Sequence, residues 1–333
     1  MMSILKEMAK GAAGFVYDFR RFLRHTSTLA IDSERQRNYR VAKVYHALEK
    51  SLSFRAGRPG AGRANADRLM NLLASTDFAA GSPPLERAVG LKVLHDWRDL
   101  QGNSAPASVV EFLAVRPEPR SDTPGGAETV RAADLARGRL EAPENFFLSR
   151  RSVRDFADRS VDPEMLEQAI RLAMGSPSVC ARHAWRVYHS ADRAVIDQAL
   201  SFQNGNRGFG QEVPLLLLVA VDLAAFHEGM ERYQHWIDGG MFAMSLVWAL
   251  HALGLASCCL NWSQGPRADR AFREAFAVDE AHTLITMIAV GHPRETLKVC
   301  ASPRPPVARI HSPLEAKSSA VGQYAYAARR EAR

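Results

Sequence analysis

The residues of this 333-residue chain best suited to chemistry form one short run, Arg150, Arg151, Ser152 and Arg154. Three guanidinium groups with a hydroxyl among them suit a phosphate, because each guanidinium offers a forked, charge-assisted donor pair and the hydroxyl can serve a remaining oxygen. Some twenty residues on, Pro177-Ser178-Val179 leads towards Trp185, and the Ser-Pro-Ser at 176–178 is also a helix-ending turn. A third polar stretch, Gln203 to Gly210, is rich in glycine and carries Asn204 and Asn206. Those two amides suit either a ligand or the turn chemistry of Asn-Gly itself. Further on, Cys258-Cys259-Leu260-Asn261-Trp262 follows Leu253-Gly254-Leu255, and Gly291-His292-Pro293 stands eleven residues before Arg304. The sequence holds no Ser-His-Asp arrangement and no paired-carboxylate site. Its four cysteines (Cys180, Cys258, Cys259, Cys300) lack metal-ligand spacing and fit reduced thiols in a cytosol.

The elements that must position these residues are legible from periodicity. Asp162 caps a helix that has Pro163 at its first position, with Leu166, Ala169, Ile170 and Ala173 as its buried stripe. Strands are expected at 185–190, 215–222, 257–261 and 283–291, and a long helix at about 230–253, stopped by Gly254. Its portion from Met241 to Trp248 is apolar on every side, which predicts burial all round, at the domain centre or a dimer interface. Cys258 and Cys259, adjacent in a strand, must face opposite ways.

Upstream, helices are expected at 4–24, 38–52, 64–75, 84–100, 106–114 and 128–138. Residues 116–127 have linker composition, and the Gly/Pro/Arg segment from Arg55 to Arg63 reads as a solvated connector, since it lacks the Lys and Ser/Thr of a phosphate-binding P-loop. The expected organisation is a basic, mostly helical extension over 1–145, a second region over 146–312 and a tail over 313–333.

Charge is unevenly placed. The whole chain carries +7, yet residues 1–65 hold 13 Lys/Arg against 5 Asp/Glu, so the excess belongs to the N-terminal fifth and the remainder is near neutral. The helix at 4–24 is amphipathic, with Leu5, Met8, Ala12, Phe15, Val16, Phe19, Phe22 and Leu23 on one side and Lys6, Lys10, Arg20, Arg21 and Arg24 on the other. Two readings stay open: a helix packed on its own protein or dimer mate, and a weak contact with an anionic membrane surface. The charge has no recognisable nucleic-acid module to go with it, so no nucleic-acid partner is expected. At 47% hydrophobic and 24% charged residues, the composition is that of a globular protein with a substantial core. Residues 1–13 lack the apolar run and cleavage site of a secretion signal, and the most apolar helix is shorter than the ~20 residues a bilayer needs. A cytoplasmic location is expected, with attachment to the inner face of the membrane as its variant.

Taken together, the stretches at Arg150–Phe156, Pro177–Ser178, Asn204–Asn206, Cys258–Trp262 and Gly291–Pro293 with Arg304 resemble the nitroreductase family of FMN oxidoreductases, over roughly residues 146–312. The resemblance implies an α+β fold with a mixed sheet flanked by helices, here preceded by the helical extension. It implies a homodimer with FMN at the subunit interface, reduced by NADH or NADPH and passing hydride to a small-molecule acceptor. By that likeness Arg150, Arg151, Ser152, Arg154 and Arg304 hold phosphate and ribityl, with Asn204 or Asn206 helping. Pro177, Ser178 and Val179 come from the partner, and Cys258, Cys259, Leu260 and Asn261 meet the ring. The chain departs from many relatives in having Ala181 and His183 in place of Asn and Gln, and Asn261-Trp262 in place of Glu-Gly. The loss of Asn and Gln at 181 and 183 supports an alternative, a non-catalytic flavin-binding or scaffold protein. The segment His46-Ala47-Leu48-Glu49-Lys50-Ser51-Leu52-Ser53 resembles flavoproteins that accompany bacterial polysaccharide synthesis, which would set such a scaffold at a membrane surface.

Overall fold

Leu215–Asp222 is apolar at seven consecutive positions, and in the computed structural model the reason is plain: every one of its residues is buried, because both faces of this strand are covered. The structure describes residues 2–53, 60–74 and 84–315. The connector expected from Arg55 lies outside the described residues as far as residue 59, as does the tail from 316 onwards. Four strands, β1 (Trp185–Ser190), β2 (Leu215–Asp222), β3 (Ala256–Asn261) and β4 (His282–Gly291), form one sheet in the order β1-β2-β4-β3. All three strand pairings are antiparallel. Among the described residues, the mixed character expected of the sheet is confined to a single parallel bridge, Ser152 to Ser257, at the β3 edge.

The helices, in chain order, are α1 (Met2–His25), α2 (Glu34–Ser53), α3 (Arg63–Ala74), α4 (Leu85–Gln101), α5 (Ala107–Ala114), α6 (Ala132–Ala136), α7 (Pro143–Ser149), α8 (Pro163–Ala173), α9 (Arg193–Ser201), α10 (Gln234–Ala252) and α11 (Pro266–Ala275). Helix α6 is much shorter than the expected 128–138. One sheet face, carrying Leu215, Leu217, Val219 and Val221, packs on α8 and α10. The other face, carrying Leu216, Leu218 and Ala220, packs on α9 and α11. A third core joins α2, α3, α4 and α5 through residues such as Val41, Leu69, Leu94, Trp97 and Val109. Tyr39 of α2 and Phe22 of α1 instead join the sheet core, so the extension is stitched to the sheet through its first two helices.

Helix α10 is the central strut. It approaches the sheet so closely that a Cβ on Gly239 would lie 2.6 Å from Ile285 and 2.9 Å from Val221. Phe242 stacks on Trp185 with ring centroids 4.9 Å apart, and truncating it to Ala would cost about 3–5 kcal/mol. The helix ends in a Schellman motif: Leu255 N–H donates to Leu250 O at 2.9 Å and Gly254 N–H to His251 O at 3.0 Å, with Gly254 at φ +76°. Burial all round does not hold for the single chain. Ile237, Met241 and Met244 leave a stripe of α10 open, beside the exposed Phe147 and Leu148 of α7. An evenly apolar helix gives periodicity no face to choose, and the tertiary packing chose one.

By compactness the chain divides into Met1–Lys298 and Val299–Arg333. Residues 1–145 and the sheet therefore share the first unit. In the second, a 3-10 turn spans Val307–Arg309. Residues 116–127 form no helix or strand. This stretch is tied back to α2 by Gly126 N–H donating to Glu49 Oε1 at 3.0 Å.

Candidate functional site

The basic run is held by its backbone. Val153 N–H donates to Ser257 O at 3.0 Å, and Ala157 N–H to His292 O at 2.8 Å, pinning residues 152–157 across the ends of β3 and β4. Val153 and Phe156 are buried as plugs, which leaves Ser152 and Arg154 facing outwards and Arg150 half-buried. The Arg150 guanidinium lies 5.8 Å from the Trp248 ring of α10. It also acts on Cys259, which opens outwards while Cys258 is buried, as the alternation of a strand requires. Desolvation pushes the Cys259 thiol up and Cys258 adds to this, with Arg150 opposing, so the thiol form is favoured and redox reactivity is not. Arg151 differs from its neighbours: its Nη1 turns back to Leu148 O and Arg150 O, capping α7.

The glycine-rich loop closes on the opposite end of β3. Gln203 is buried, donates through Nε2 to Asn261 O, and accepts the backbone N–H of Asn204 at 2.9 Å and of Gly205 at 3.2 Å. A Cβ on Gly205 would lie 3.3 Å from the Leu260 side chain. The exposed Asn204 is thereby set beside Leu260 and Asn261. Asn206 is half-buried, and its Oδ1 has no hydrogen-bond partner among the described residues. Asn261 donates through Nδ2 to Ser263 Oγ at 3.1 Å. Trp262 belongs to the core: its Nε1 donates to Asp269 Oδ1 at 2.9 Å and its ring packs edge-on to Phe272.

Pro177, Ser178 and Val179 lie elsewhere. Val179 N–H donates to Asp238 Oδ2 at 3.1 Å, in the first half of α10, and α2 packs over 179–181. Ser178 Oγ accepts His183 N–H at 3.0 Å. Cys180, Ala181 and His183 all have φ near +50°, the left-handed region that non-glycine residues adopt at a cost of about 1 kcal/mol or more each. What locks this loop is Arg182, buried between Ala225 O at 2.7 Å and the Glu231 carboxylate at 2.9 and 3.0 Å. Burial alone would raise the Glu231 carboxyl, yet Arg182 and the His227 backbone amide hold it down at about 2. Asp238 and Trp248 are ten residues apart on α10, about 15 Å along its axis. Within one chain, the loop at 177–179 and Arg150 therefore stand at different ends of that helix.

Arg304 belongs to the second compact unit, where its Nη1 donates to Ser302 O at 2.5 Å. Periodicity missed Gln203, Arg182 and Asp238. Asp238 carried a signal, since a carboxylate inside an otherwise apolar helix must find donors when buried.

The model of the Nitroreductase family matches residues 148–202 and 189–292, spanning the pinned basic run, the strained loop and all four strands. This chain carries a nitroreductase-family domain. A curated protein of Archaeoglobus fulgidus, provisionally named an NADH dehydrogenase/NAD(P)H nitroreductase, is 24% identical over 148 residues, covering 44% of this chain and 83% of its own length. A second, of the same provisional name, from Methanothermobacter thermautotrophicus, is 24% identical over 152 residues, 44% of this chain and 75% of that protein. Among solved structures, an FMN-dependent nitroreductase of Clostridium difficile is similar at 22% identity and TM-score 0.41, covering 47% of this chain and 91% of its own. The helical extension lies outside the nitroreductase-family domain. Among the described residues no helix is long and apolar enough to cross a membrane, and no group of His, Cys, Asp and Glu could hold a metal ion.

Proposed function

We propose that the chain is an FMN-dependent oxidoreductase that takes hydride from NAD(P)H and delivers it to a small-molecule acceptor, acting as a cytoplasmic homodimer. The observation that carries this reading is the family match over a segment whose basic run is pinned by backbone bonds to the edge of β3. The residues there fit FMN. Arg150, Ser152 and Arg154 offer donors for a phosphate, and the orphaned Asn206 Oδ1 is an acceptor that a ribityl hydroxyl would satisfy.

Bound flavin supplies the two-electron chemistry. This chain's residues bind and orient. The exposed edge of β3 from Cys259 to Asn261 offers backbone groups to a ring, and the Asn204 loop, tied to that strand by Gln203, closes one end of the site. Pro177, Ser178 and Val179 form the opposite wall, contributed by a second copy docked on the open stripe of α10. The distance between that loop and Arg150 along α10 supports a two-chain site. The extension over 1–145 places α2 over the same loop and so limits what reaches it.

The visible spectrum of the purified protein tests the proposal. A yellow preparation, or one that takes up added FMN, which NADH or NADPH bleaches under anaerobic conditions, is the expected result. A colourless protein that does not bind FMN would overturn it and leave the scaffold reading.

A further inference from the structure

Helix α1 carries its apolar residues where a single chain does not cover them. Ile4, Leu5, Met8, Phe15, Val16 and Phe19 share one face and are all exposed, Phe15 at 72% and Met8 at 66%. Residues 4–13 are exposed on every side, so the first turns project from the body. The last two turns are fastened: Tyr17 Oη donates to Asp269 Oδ2 at 2.7 Å, Arg21 Nη2 to Glu280 O at 2.8 Å and to His282 O at 3.1 Å, and Phe22 is buried in the sheet core. Lys6, Lys10, Arg20 and Arg24, exposed, lie on the side away from the apolar face. Only Lys10 among them forms an ion pair within the described residues, an exposed one to Glu7.

We infer that α1 is a docking helix for an anionic phospholipid surface, an inference independent of the cofactor reading. The charge complementarity favours this occupant: residues 2–25 carry five Lys/Arg against two Asp/Glu, so the helix with the uncovered apolar face is itself cationic, while the chain beyond residue 65 is near neutral. A helix of this pattern lies in the interface plane, with its apolar side at the acyl boundary and its Lys and Arg heads reaching lipid phosphates along flexible stems. Because Tyr17, Arg21 and Phe22 fix the helix to the sheet domain, docking would also fix the orientation of that domain on the membrane.

The test is co-sedimentation of the full chain with phosphatidylcholine vesicles, with and without phosphatidylglycerol, read beside sedimentation velocity in the absence of lipid. The expected result is binding to the anionic vesicles that falls with added salt. The Lys6→Glu/Lys10→Glu variant, altered only at exposed positions, should weaken partitioning by roughly thirtyfold or more. Phe15→Ser/Phe19→Ser should weaken it by on the order of a hundredfold, with an unchanged melting curve and oligomeric state. Failure of the unaltered chain to bind anionic vesicles, or equal binding by both variants, would overturn the inference. So would conversion of a dimer to a monomer by Phe15→Ser/Phe19→Ser without a change in vesicle binding, which would make a second copy the occupant of this face.

Discussion

Asp238 and Val179 are joined by a hydrogen bond of 3.1 Å from the Val179 backbone N–H to Oδ2 of a carboxylate buried within α10. Oδ1 of the same group accepts Gln234 Nε2 at 2.8 Å. Burial raises the pKa of Asp238, and these two donors oppose the rise. One acidic residue thus sets the height of a strained loop against the longest helix of the domain.

Asp238→Ala leaves two donors unpaired and should cost about 2–3 kcal/mol. Asp238→Asn keeps an acceptor oxygen and should cost about 1 kcal/mol. Urea unfolding measures both. Equal losses would mean that the hydrogen bond does not hold the loop.

Arg150 and Arg151 should separate in flavin binding although they are adjacent. Arg151 is committed to the carbonyls that end α7, whereas Arg150 is set at the outer edge beside Cys259 and Trp248. Loss of a charge-assisted bond predicts a weakening of FMN binding by roughly 10–100-fold for Arg150→Ala and less than about threefold for Arg151→Ala. Titration of flavin fluorescence decides it, and the reverse order would contradict the assignment.

The stripe of Ile237, Met241 and Met244 should be the seat of the second copy. Met241→Glu/Met244→Glu puts like charges across a two-fold contact and should convert dimer to monomer in sedimentation velocity. FMN affinity should fall with it, since the wall at 177–179 would be lost. A persistent dimer would place the interface elsewhere.

His235 should make the fold sensitive to acid. It is buried against the Phe22, Phe226 and Trp236 rings, and desolvation, with the nearby Arg21 charge, lowers its pKa from 6.5 to about 3. The unfolded chain then binds the proton more readily than the folded one, so stability falls as pH drops from about 6.5 to 3 and this loss is complete below that. The loss is on the order of 5 kcal/mol. His235→Phe should flatten that limb of the stability curve measured by urea unfolding at stepped pH, and an unchanged limb would assign the acid sensitivity to other groups.

Much of this fold could be read from local pattern. The bounds of β1 and β2 follow from flanking turn residues and apolar runs, and the Asp162 cap and the Gly254 stop follow from orphaned backbone groups at helix ends. Cys258 inside and Cys259 outside follow from the two-residue period of a strand. The basic run could be recognised as a motif because phosphate chemistry restricts the residue types that serve it.

The sequence by itself determined which segments are helices and strands, where the charge lies, and which residue types are available for a phosphate, because each depends on neighbours along the chain. Only the tertiary structure decided that Arg150 sits beside Trp248 and Cys259, that Asp238 and Arg182 lock the loop at 179–183, and that α1 and α10 each keep an apolar face open. Those outcomes depend on contacts between residues distant in sequence, such as Arg182 with Glu231 and Tyr17 with Asp269, and local periodicity carries no record of them.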